Sequence, residues 1–335
     1  MGYRAEKLKV EGKVKRAKLW VFVAVSVLVA GLCVFSYFVP ADSWKYYVSM
    51  PQTTDRADGE LRMHFIDVGQ GDCTLIEFPD GKTLLIDGGN SLAATEKTVL
   101  RYLNSLKIKK LDYLLLTHTD SDHCGGLACL LTYKDVETAF VPYEEDPTVN
   151  GDFAAFYEKL IKEDCETLYS ARQYSFSSSD ARYPYQWDFL YPQTVVSETE
   201  NILDSNENSA VIWLDYQGVS ALFCGDAPKS VEEKLMTEDK LGAFEKRGIK
   251  LTETEILKVA HHGSESSTGV EFLKYLGAKT AVISCGKDNL YGHPTKEVLD
   301  NLRSVAAETY RTDENGHILI TVKADGTYQT SFINK

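Results

Sequence analysis

The sequence lacks the cysteine spacing of a disulfide-stabilised protein. It contains seven Cys, and none of them forms a Cys-x-x-Cys pair or another framework spacing. A small disulfide scaffold is therefore excluded. Cys73, Cys224 and Cys285 lie in strand-like runs, where we interpret them as small core residues. Cys124 directly follows His123, and the space-filling role is favoured over metal ligation.

Excess positive charge is also missing, except at the N-terminus. Residues 1–18 contain seven basic and two acidic residues, whereas the whole chain has a net charge of −13. The remainder therefore carries about −18. Duplex binding depends on Lys and Arg that neutralise phosphates, so a dedicated nucleic-acid-binding protein is not expected. A polyanionic substrate is not excluded, because bound divalent cations reverse the local field.

Long apolar runs are scarce, and the first one is distinctive. Residues 19–39 contain no charge and are long enough to cross a bilayer core of about 30 Å. With a basic flank on one side, they predict a single-pass signal anchor in the cell membrane. We expect a cytoplasmic tail over 1–18, a linker over 40–60 and an extracytoplasmic domain over 61–335. A cleaved signal peptide and a buried core helix are the less favoured alternatives.

The rest of the chain alternates between short strand-like and helix-like segments, typical of an α/β fold. Residues 165–208 are the least readable, and strands and loops are expected there. Their tyrosines are interpreted as sheet packing rather than as a stacking platform for bases. His64 is expected on the polar face of its strand, and His317 is expected to be a surface strand residue. Strands are predicted at 61–68, 73–78, 83–86, 111–116, 138–141, 187–191, 210–216, 219–224, 256–259, 281–284, 317–322 and 327–332, and helices at 95–106, 152–163, 229–236, 272–276 and 296–306.

One stretch concentrates metal-ligand chemistry. The apolar run 111–116 ends at His118, Asp120, Asp122 and His123, which offer imidazole and carboxylate within six positions. Such ligands suit Zn²⁺, Mn²⁺ or Fe. A polar helix N-terminus would explain one capping Asp but not two His and two Asp together.

Other polar residues recur just past predicted strand ends. They are Asp67, Asp87, Asp226 and His261. This recurrence predicts that one sheet edge gathers a single site. Asp67 and Asp87 are expected to hold loops or support ligands rather than to bind metal directly.

At this point several ordered motifs resemble a known family. The segment 117–126 is similar to the metal-binding motif of the metallo-β-lactamase superfamily, with Asp120 in place of its second His. The other motifs resemble the hydrolase-like domain of the ComEC family of DNA-uptake proteins, and the resemblance extends from Leu61 to Phe332. These motifs are Phe65–Asp72, Leu85–Asn90, Asn208–Val211, Phe223–Asp226, Leu257–Ser264 and Tyr291–Pro294.

The resemblance implies an αββα sandwich with one or two divalent metal ions, Zn or Mn, at the sheet edge. His118 and Asp120 would hold the first ion. The second would be held by Asp122 and His123 together with one His of the 261/262 pair, for which His262 is favoured. Asp226 matches the bridging carboxylate. The superfamily has a further His ligand before the strand that ends at Asp226, and no such His is visible in this sequence. Asp120 is a harder ligand than the His it replaces, which favours Mn²⁺ at the first position.

The resemblance also implies a metal-dependent hydrolase, most simply a phosphodiesterase or nuclease. Asp122 or Asp226 would orient the nucleophilic water. His261, as the spare His of the pair, or His293 would donate a proton to the leaving group or bind a phosphoryl oxygen. The predicted partners are a phosphodiester substrate, either DNA or a cell-wall polymer such as a teichoic-acid or phosphocholine-type group, and the membrane; no protein partner is implied. The alternative is a metal-binding domain without turnover. Substrate-binding roles are expected for Asn208, Ser209, Ser264 and His293.

Overall fold

The computed structural model describes residues 2–38, 41–142, 151–163, 165–194 and 205–334. The chain divides into two units, residues 1–48 and 49–335. The first unit contains helix α1 (Gly2–Phe38) and a short 3₁₀ helix (Ala41–Tyr46). Within α1, Gly12–Tyr37 is a candidate membrane span by its length and composition, with a mean hydropathy of 2.5. Predicted residue 39 of the anchor lies outside the described residues.

The second unit is built on two sheets. Within the described residues, one sheet has eight strands in the order β15-β14-β1-β2-β3-β4-β5-β6, and the other has seven in the order β13-β12-β11-β10-β9-β8-β7. The strands of the first sheet are β1 (Leu61–Phe65), β2 (Thr74–Glu77), β3 (Thr83–Ile86), β4 (Lys110–Leu115), β5 (Asp135–Val141), β6 (Glu166–Tyr169), β14 (His317–Val322) and β15 (Tyr328–Ile333). Those of the second are β7 (Ser175–Ser177), β8 (Tyr185–Tyr191), β9 (Val211–Tyr216), β10 (Val219–Phe223), β11 (Ile256–Lys258), β12 (Thr280–Ile283) and β13 (Glu308–Arg311).

Helices flank these sheets. They are α2 (Ala93–Ser105), α3 (Ser121–Cys124), α4 (Leu127–Tyr133), α5 (Gly151–Leu160), α6 (Lys229–Lys240), α7 (Val270–Leu276), α8 (Lys296–Ser304) and α9 (Thr312–Asn315). Further 3₁₀ turns cover Asn206–Asn208, Glu245–Arg247, Leu251–Glu253 and Ala260–Gly263. The predicted cap of α8 is present, since the Thr295 hydroxyl accepts the Val298 N–H at 3.4 Å.

The core lies between the two sheets, as the alternation in β1 shows. Leu61, Met63 and Phe65 point into the inter-sheet cluster, where Phe65 stacks on Phe223 of β10 at 6.2 Å. A second buried cluster packs the outer face of the other sheet against helices α6, α7 and α8. Alternate residues along a strand therefore face the core between the sheets, and the residues between them face the helices. The predicted αββα sandwich is confirmed.

His64 lies on the non-core face of its strand as expected, whereas the expected surface position of His317 is wrong. His64 faces helix α2, not solvent, and its side chain is 1% exposed, with hydrogen bonds to Tyr102 (2.9 Å) and Glu77 (2.8 Å). His317 is equally buried, and its Nδ1 accepts the Asp67 N–H at 2.9 Å. Polar alternation marks the non-core face of a strand but does not reveal that a helix covers it.

The expectation for the tyrosines of residues 165–191 agrees with the structure. Tyr185 stacks on Phe78 at 4.3 Å, and Tyr174 packs edge-to-face on Phe140. These rings belong to the inter-sheet core or lie against it. They are therefore packing residues and not a surface for bases.

Parallel strand pairs create the edge where the polar residues meet. Strand β4 runs parallel to β3, and β11 runs parallel to β10. The carboxyl ends of such strands open onto the same side of a sheet, which is where α/β folds carry their chemistry. Asp87, His118, Asp226 and His261 all follow these four strands.

Candidate metal centre

The loop after β4 carries the ligand-rich segment into the sheet edge. Asp120 precedes the short helix α3, whose turn places Asp122 and His123 beside the preceding loop. Glycine is required where the loops touch. A Cβ on Gly126 would lie 2.2 Å from the carbonyl oxygen of Gly88, and one on Gly71 would lie 2.3 Å from that of Asp122.

A group of ligand atoms converges on Asp226, which follows β10. Its carboxylate lies 3.3 Å from Nε2 of His123 and 3.9 Å from Nε2 of His118. These three side chains are at most 3% exposed, and their ligand atoms form a set that could hold one metal ion.

A second group adjoins the first and shares His123 with it. Nε2 of His262 lies 3.2 Å from a carboxylate oxygen of Asp122 and 3.7 Å from that of Asp226. Asp122, His123 and His262 together could hold a second ion. The structure thus brings together five of the six predicted metal ligands in two groups with a common member.

The donor atoms fit a divalent cation. Among the described residues, Nε2 of His118, His123 and His262 and Oδ1 of Asp226 are buried without a hydrogen-bond partner of good geometry. Leaving several buried polar atoms unpaired costs about 1–3 kcal/mol each, so a native site requires an occupant for them. Imidazole and carboxylate ligands suit Zn²⁺ or Mn²⁺.

Asp87 orients two of the imidazoles. Its Oδ2 lies 2.8 Å from Nδ1 of His123, which must donate because the carboxylate only accepts. The Thr117 hydroxyl donates to the same carboxylate at 2.8 Å and accepts from Nδ1 of His118 at 3.0 Å. Both rings therefore direct an unprotonated Nε2 into the site when neutral.

His261 and His262 occupy unusual backbone conformations. Their φ angles are 50° and 54°, in the left-handed region that costs a β-carbon-bearing residue energy. The kink separates the two rings. His262 donates from Nδ1 to the Ser284 carbonyl at 2.9 Å and points Nε2 inward, whereas His261 lies at the rim with 24% of its side chain exposed. Nε2 of His261 is 3.6 Å from the Asp226 carboxylate.

A buried ion pair lies behind His262. Nζ of Lys258 is 2.6 Å from Oδ2 of Asp72, and both side chains are almost fully buried. The other oxygen of Asp72 is 3.6 Å from Nδ1 of His262. Asp72 also belongs to a possible ligand group with Asp226 and His262, but its pairing with Lys258 neutralises its charge.

The charges in the site are strongly coupled. Burial and the neighbouring His123 lower the pKa of His118 to about 4, so this ring is neutral at pH 7. Burial opposes ionisation of Asp226, but the imidazoles of His123 and His262 hold its pKa well below the usual range. Burial also acts against the charged form of His123, yet Asp226 and Asp87 raise its pKa. Metal binding therefore competes with protons on this ring.

Asp120 lies apart from the other predicted ligands. Its side chain is 44% exposed, with Oδ2 3.8 Å from Nε2 of His118 and Oδ1 hydrogen-bonded to the Ser205 hydroxyl. Among the described residues it joins no ligand group. Direct ligation by Asp120 would require its carboxylate to turn from Ser205.

The four residues predicted to bind substrate differ in their burial and in their distance from the metal centre. Ser209 is fully buried, and its hydroxyl accepts the Asp226 N–H at 3.1 Å, so we correct its role to positioning Asp226. Ser264 is 8% exposed and accepts from Ser266, which bonds the His261 ring. Asn208 lies in the 3₁₀ turn before Ser209. The His293 ring is 5.7 Å from that of His261, at the rim.

Two functional positions were not identified from the sequence. They are Lys258, which pairs with Asp72 behind His262, and Thr117, which bridges Asp87 and His118. A signal did exist for Lys258, since it is the single charge in the apolar strand run 256–259. No pattern in the sequence indicates the contact of Thr117, because it depends on the register of β3 beside β4.

Comparison with known proteins agrees with this geometry. Residues 66–287 match the family model of the metallo-beta-lactamase superfamily, and the chain belongs to that superfamily. It is 31% identical over 281 residues to ComE operon protein 3 of Bacillus subtilis (strain 168), covering 78% of this chain and 33% of that protein. It is 30% identical to Competence protein ComA of Neisseria gonorrhoeae over 264 residues, covering 77% of this chain and 32% of that one.

A third relative is Recombination protein 2 of Haemophilus influenzae, 27% identical over 267 residues, with 78% of this chain and 29% of that protein covered. The chain thus spans about a third of the length of these relatives. The predicted superfamily and the resemblance to ComEC-family proteins are confirmed.

Proposed function

We propose that the protein is a metal-dependent phosphodiesterase, with a nuclease as the favoured form. One observation carries this proposal: two adjoining ligand groups share His123 and surround the buried carboxylate of Asp226. Two neighbouring divalent ions, Zn²⁺ or Mn²⁺, are a recurrent arrangement for in-line displacement at phosphorus. The metal-dependent hydrolase chemistry of the superfamily supports the same conclusion.

The proposed metal ligands are His118, His123 and Asp226 for one ion and Asp122, His123 and His262 for the other, with Asp120 as an additional ligand of the first. When bound, the ions would supply Lewis acidity and lower the pKa of water to about 7. The carboxylates of Asp122 and Asp226 would accept a hydrogen bond from the attacking water and so orient it. His261, at the rim and 3.6 Å from Asp226, would give a proton to the leaving oxygen.

An open rim favours turnover over a purely structural metal site. Asp120, Asp122 and His261 keep 44%, 31% and 24% of their side chains exposed beside the buried side chains of His118, His123, His262 and Asp226. Structural sites are usually closed by four protein ligands, whereas catalytic sites keep a position open. A cell-wall phosphodiester is the second candidate substrate.

We further propose that α1 anchors the chain with the hydrolase domain outside the cytoplasm. The basic residues at the start of Gly12–Tyr37 support this orientation, because Lys and Arg flanks stay cytoplasmic. Protease treatment of sealed cells, followed by detection of residues beyond 49, tests it. Protection of the domain in sealed cells would contradict the orientation.

The activity is tested on the full chain in detergent. After chelation, Mn²⁺ or Zn²⁺ is added back, and bis(p-nitrophenyl) phosphate, single-stranded DNA and a teichoic-acid polymer are assayed in parallel. Asp226→Asn keeps the side-chain shape and should abolish metal-dependent cleavage, whereas Asp112→Asn, inside β4 and away from the ligand loop, should not. Bound metal without turnover of any diester would support the non-catalytic alternative.

A further inference from the structure

Two large apolar side chains stand exposed on the loop before α8. Leu290 is fully exposed and Tyr291 is 69% exposed, in a domain where the described large apolar residues are mostly buried. Both lie between Gly286 and His293, next to the rim of the metal centre. Exposed adjacent apolar side chains at a site edge commonly mark a contact surface.

The loop that carries them is fixed from within. The Asn289 amide donates to the carbonyls of Gly286 (2.9 Å) and His293 (2.5 Å), and its oxygen accepts the His293 N–H at 3.0 Å. Gly292, at φ 71°, makes the tight turn that this closure needs. The apolar residues are therefore presented in one conformation, which lowers the entropy cost of binding.

The rings form a row that starts at the metal centre. His262 and His293 are near-parallel at 6.5 Å, and His293 and Tyr291 at 5.7 Å, with interplanar angles of 26° and 25°. Both distances are within the range of stacked ring pairs. Tyr291 thus lies two ring steps from the ligand His262, with its ring largely open to solvent.

We propose that Tyr291, flanked by Leu290, stacks a nucleobase of a single-stranded polynucleotide whose phosphodiester lies at the metal centre. This inference rests on the proposed phosphodiesterase function and names the substrate class of the same site. Stacking is independent of base identity, because every base offers a flat π-face. It also gives affinity without many cationic contacts, which suits an acidic chain.

A cation and a cavity on the same loop favour binding of the nucleotides next to the stacked base. Gly286, Lys287 and Asn289 line a cavity of about 370 Å³ together with Gly69 and Gln70, and with the carboxylates Asp67 and Asp313. Asp313 is paired with Arg311 at 2.6 Å, which offsets its charge. Lys287 is exposed and would contact a neighbouring phosphate of the same polynucleotide.

A protein partner fits the patch less well. Specific protein interfaces bury about 800 Å² on each side, which is far more than one Leu and one Tyr expose. The residues between Gly286 and Leu290 are polar, namely Lys287, Asp288 and Asn289. A flat ring on the same loop as an exposed cation matches a nucleotide better than an extended apolar surface does.

The test measures binding by the full chain in detergent, with Mn²⁺ present, in the His261→Ala background, which lacks the proposed proton donor and keeps every proposed metal ligand. The probes are a single-stranded oligodeoxynucleotide carrying 2-aminopurine and an abasic strand of equal length. Tyr291→Ala should weaken binding of the base-bearing strand roughly 10-fold and abolish its fluorescence quenching, with little change for the abasic strand. Tyr291→Phe should restore both, and Leu290→Ala should have a smaller effect than Tyr291→Ala.

Leu241→Ala, an exposed Leu at the end of α6, is the matched control and should change nothing. Equal binding of the two strands by the His261→Ala protein, equal loss on both strands when Tyr291→Ala is added, or no binding of either strand would overturn the inference. Failure of the phosphodiesterase proposal is distinct, since it would be seen as no diester cleavage by the wild-type chain.

Discussion

Oδ2 of Asp87 lies 2.8 Å from Nδ1 of His123, and the two residues follow neighbouring parallel strands. The contact fixes the tautomer of a ring that belongs to both ligand groups. The same carboxylate accepts from the Thr117 backbone N–H at 2.8 Å, so it also holds the start of the ligand loop. Metal affinity should therefore depend on a residue that need not touch the metal.

Asp87→Asn should weaken metal binding by about 10- to 100-fold. The amide has one acceptor oxygen in place of two, so it cannot accept hydrogen bonds from both His123 and Thr117 as the carboxylate does. Calorimetric titration with Zn²⁺ measures this. Asp112→Asn is the matched control, since Asp112 also accepts a backbone N–H, from Thr83 at 2.8 Å, away from the ligand loop. Equal affinities for the two variants would contradict the orienting role.

The shared position of His123 predicts an unequal effect on metal content. His123→Ala should lose both ions, whereas His118→Ala and His262→Ala should each retain one, because each belongs to a different group. Native mass spectrometry of the chain loaded with Zn²⁺ gives the number of ions bound. Retention of two ions by His123→Ala would show that the groups do not share this ligand.

Lys258→Met should destabilise the fold by about 3–5 kcal/mol, because it leaves the buried carboxylate of Asp72 without a counter-charge. The double variant Lys258→Met with Asp72→Asn should recover most of that loss. Urea unfolding of the metal-free proteins measures both. A double variant as unstable as the single one would mean that Lys258 contributes through packing rather than charge.

Glu232 should make stability depend on pH. Its side chain on α6 is 3% exposed and accepts the N–H groups of Thr268 and Gly269, the latter at 3.0 Å. Burial raises the pKa of Glu232 from 4.5 to about 7, although the two N–H groups oppose the shift. The folded state thus binds this proton more tightly than the unfolded state does. The stabilisation of the folded state by protonated Glu232 is complete below pH 4.5 and is lost as the pH rises through about 7.

The size of this effect is about 3 kcal/mol of unfolding free energy between those limits. Glu232→Gln should flatten the pH dependence, since the amide does not ionise. Urea midpoints at pH 5 and pH 8 measure it, with the exposed neighbour in Glu233→Gln as the control. An unchanged slope in Glu232→Gln would assign the dependence to other groups.

Much of the fold followed from local patterns. Strand 83–86 agrees with β3 to the residue, and helices α2 and α6 differ from prediction only at their ends. Strands β6 and β7 were not located, because their short polar segments carry no clear alternation. Edge strands of this kind form by pairing with a neighbour, which is a tertiary contact.

The sequence by itself determined the ligand types, the loop that carries them and the superfamily, because these depend on residue identity and short spacing. Only the tertiary structure decided which atoms meet. Strand register and backbone kinks placed His262 inward and His261 at the rim, and they set Asp87 behind His123. They also buried Ser209 and exposed Tyr291. Such choices depend on packing between segments distant in the chain, which no local pattern encodes.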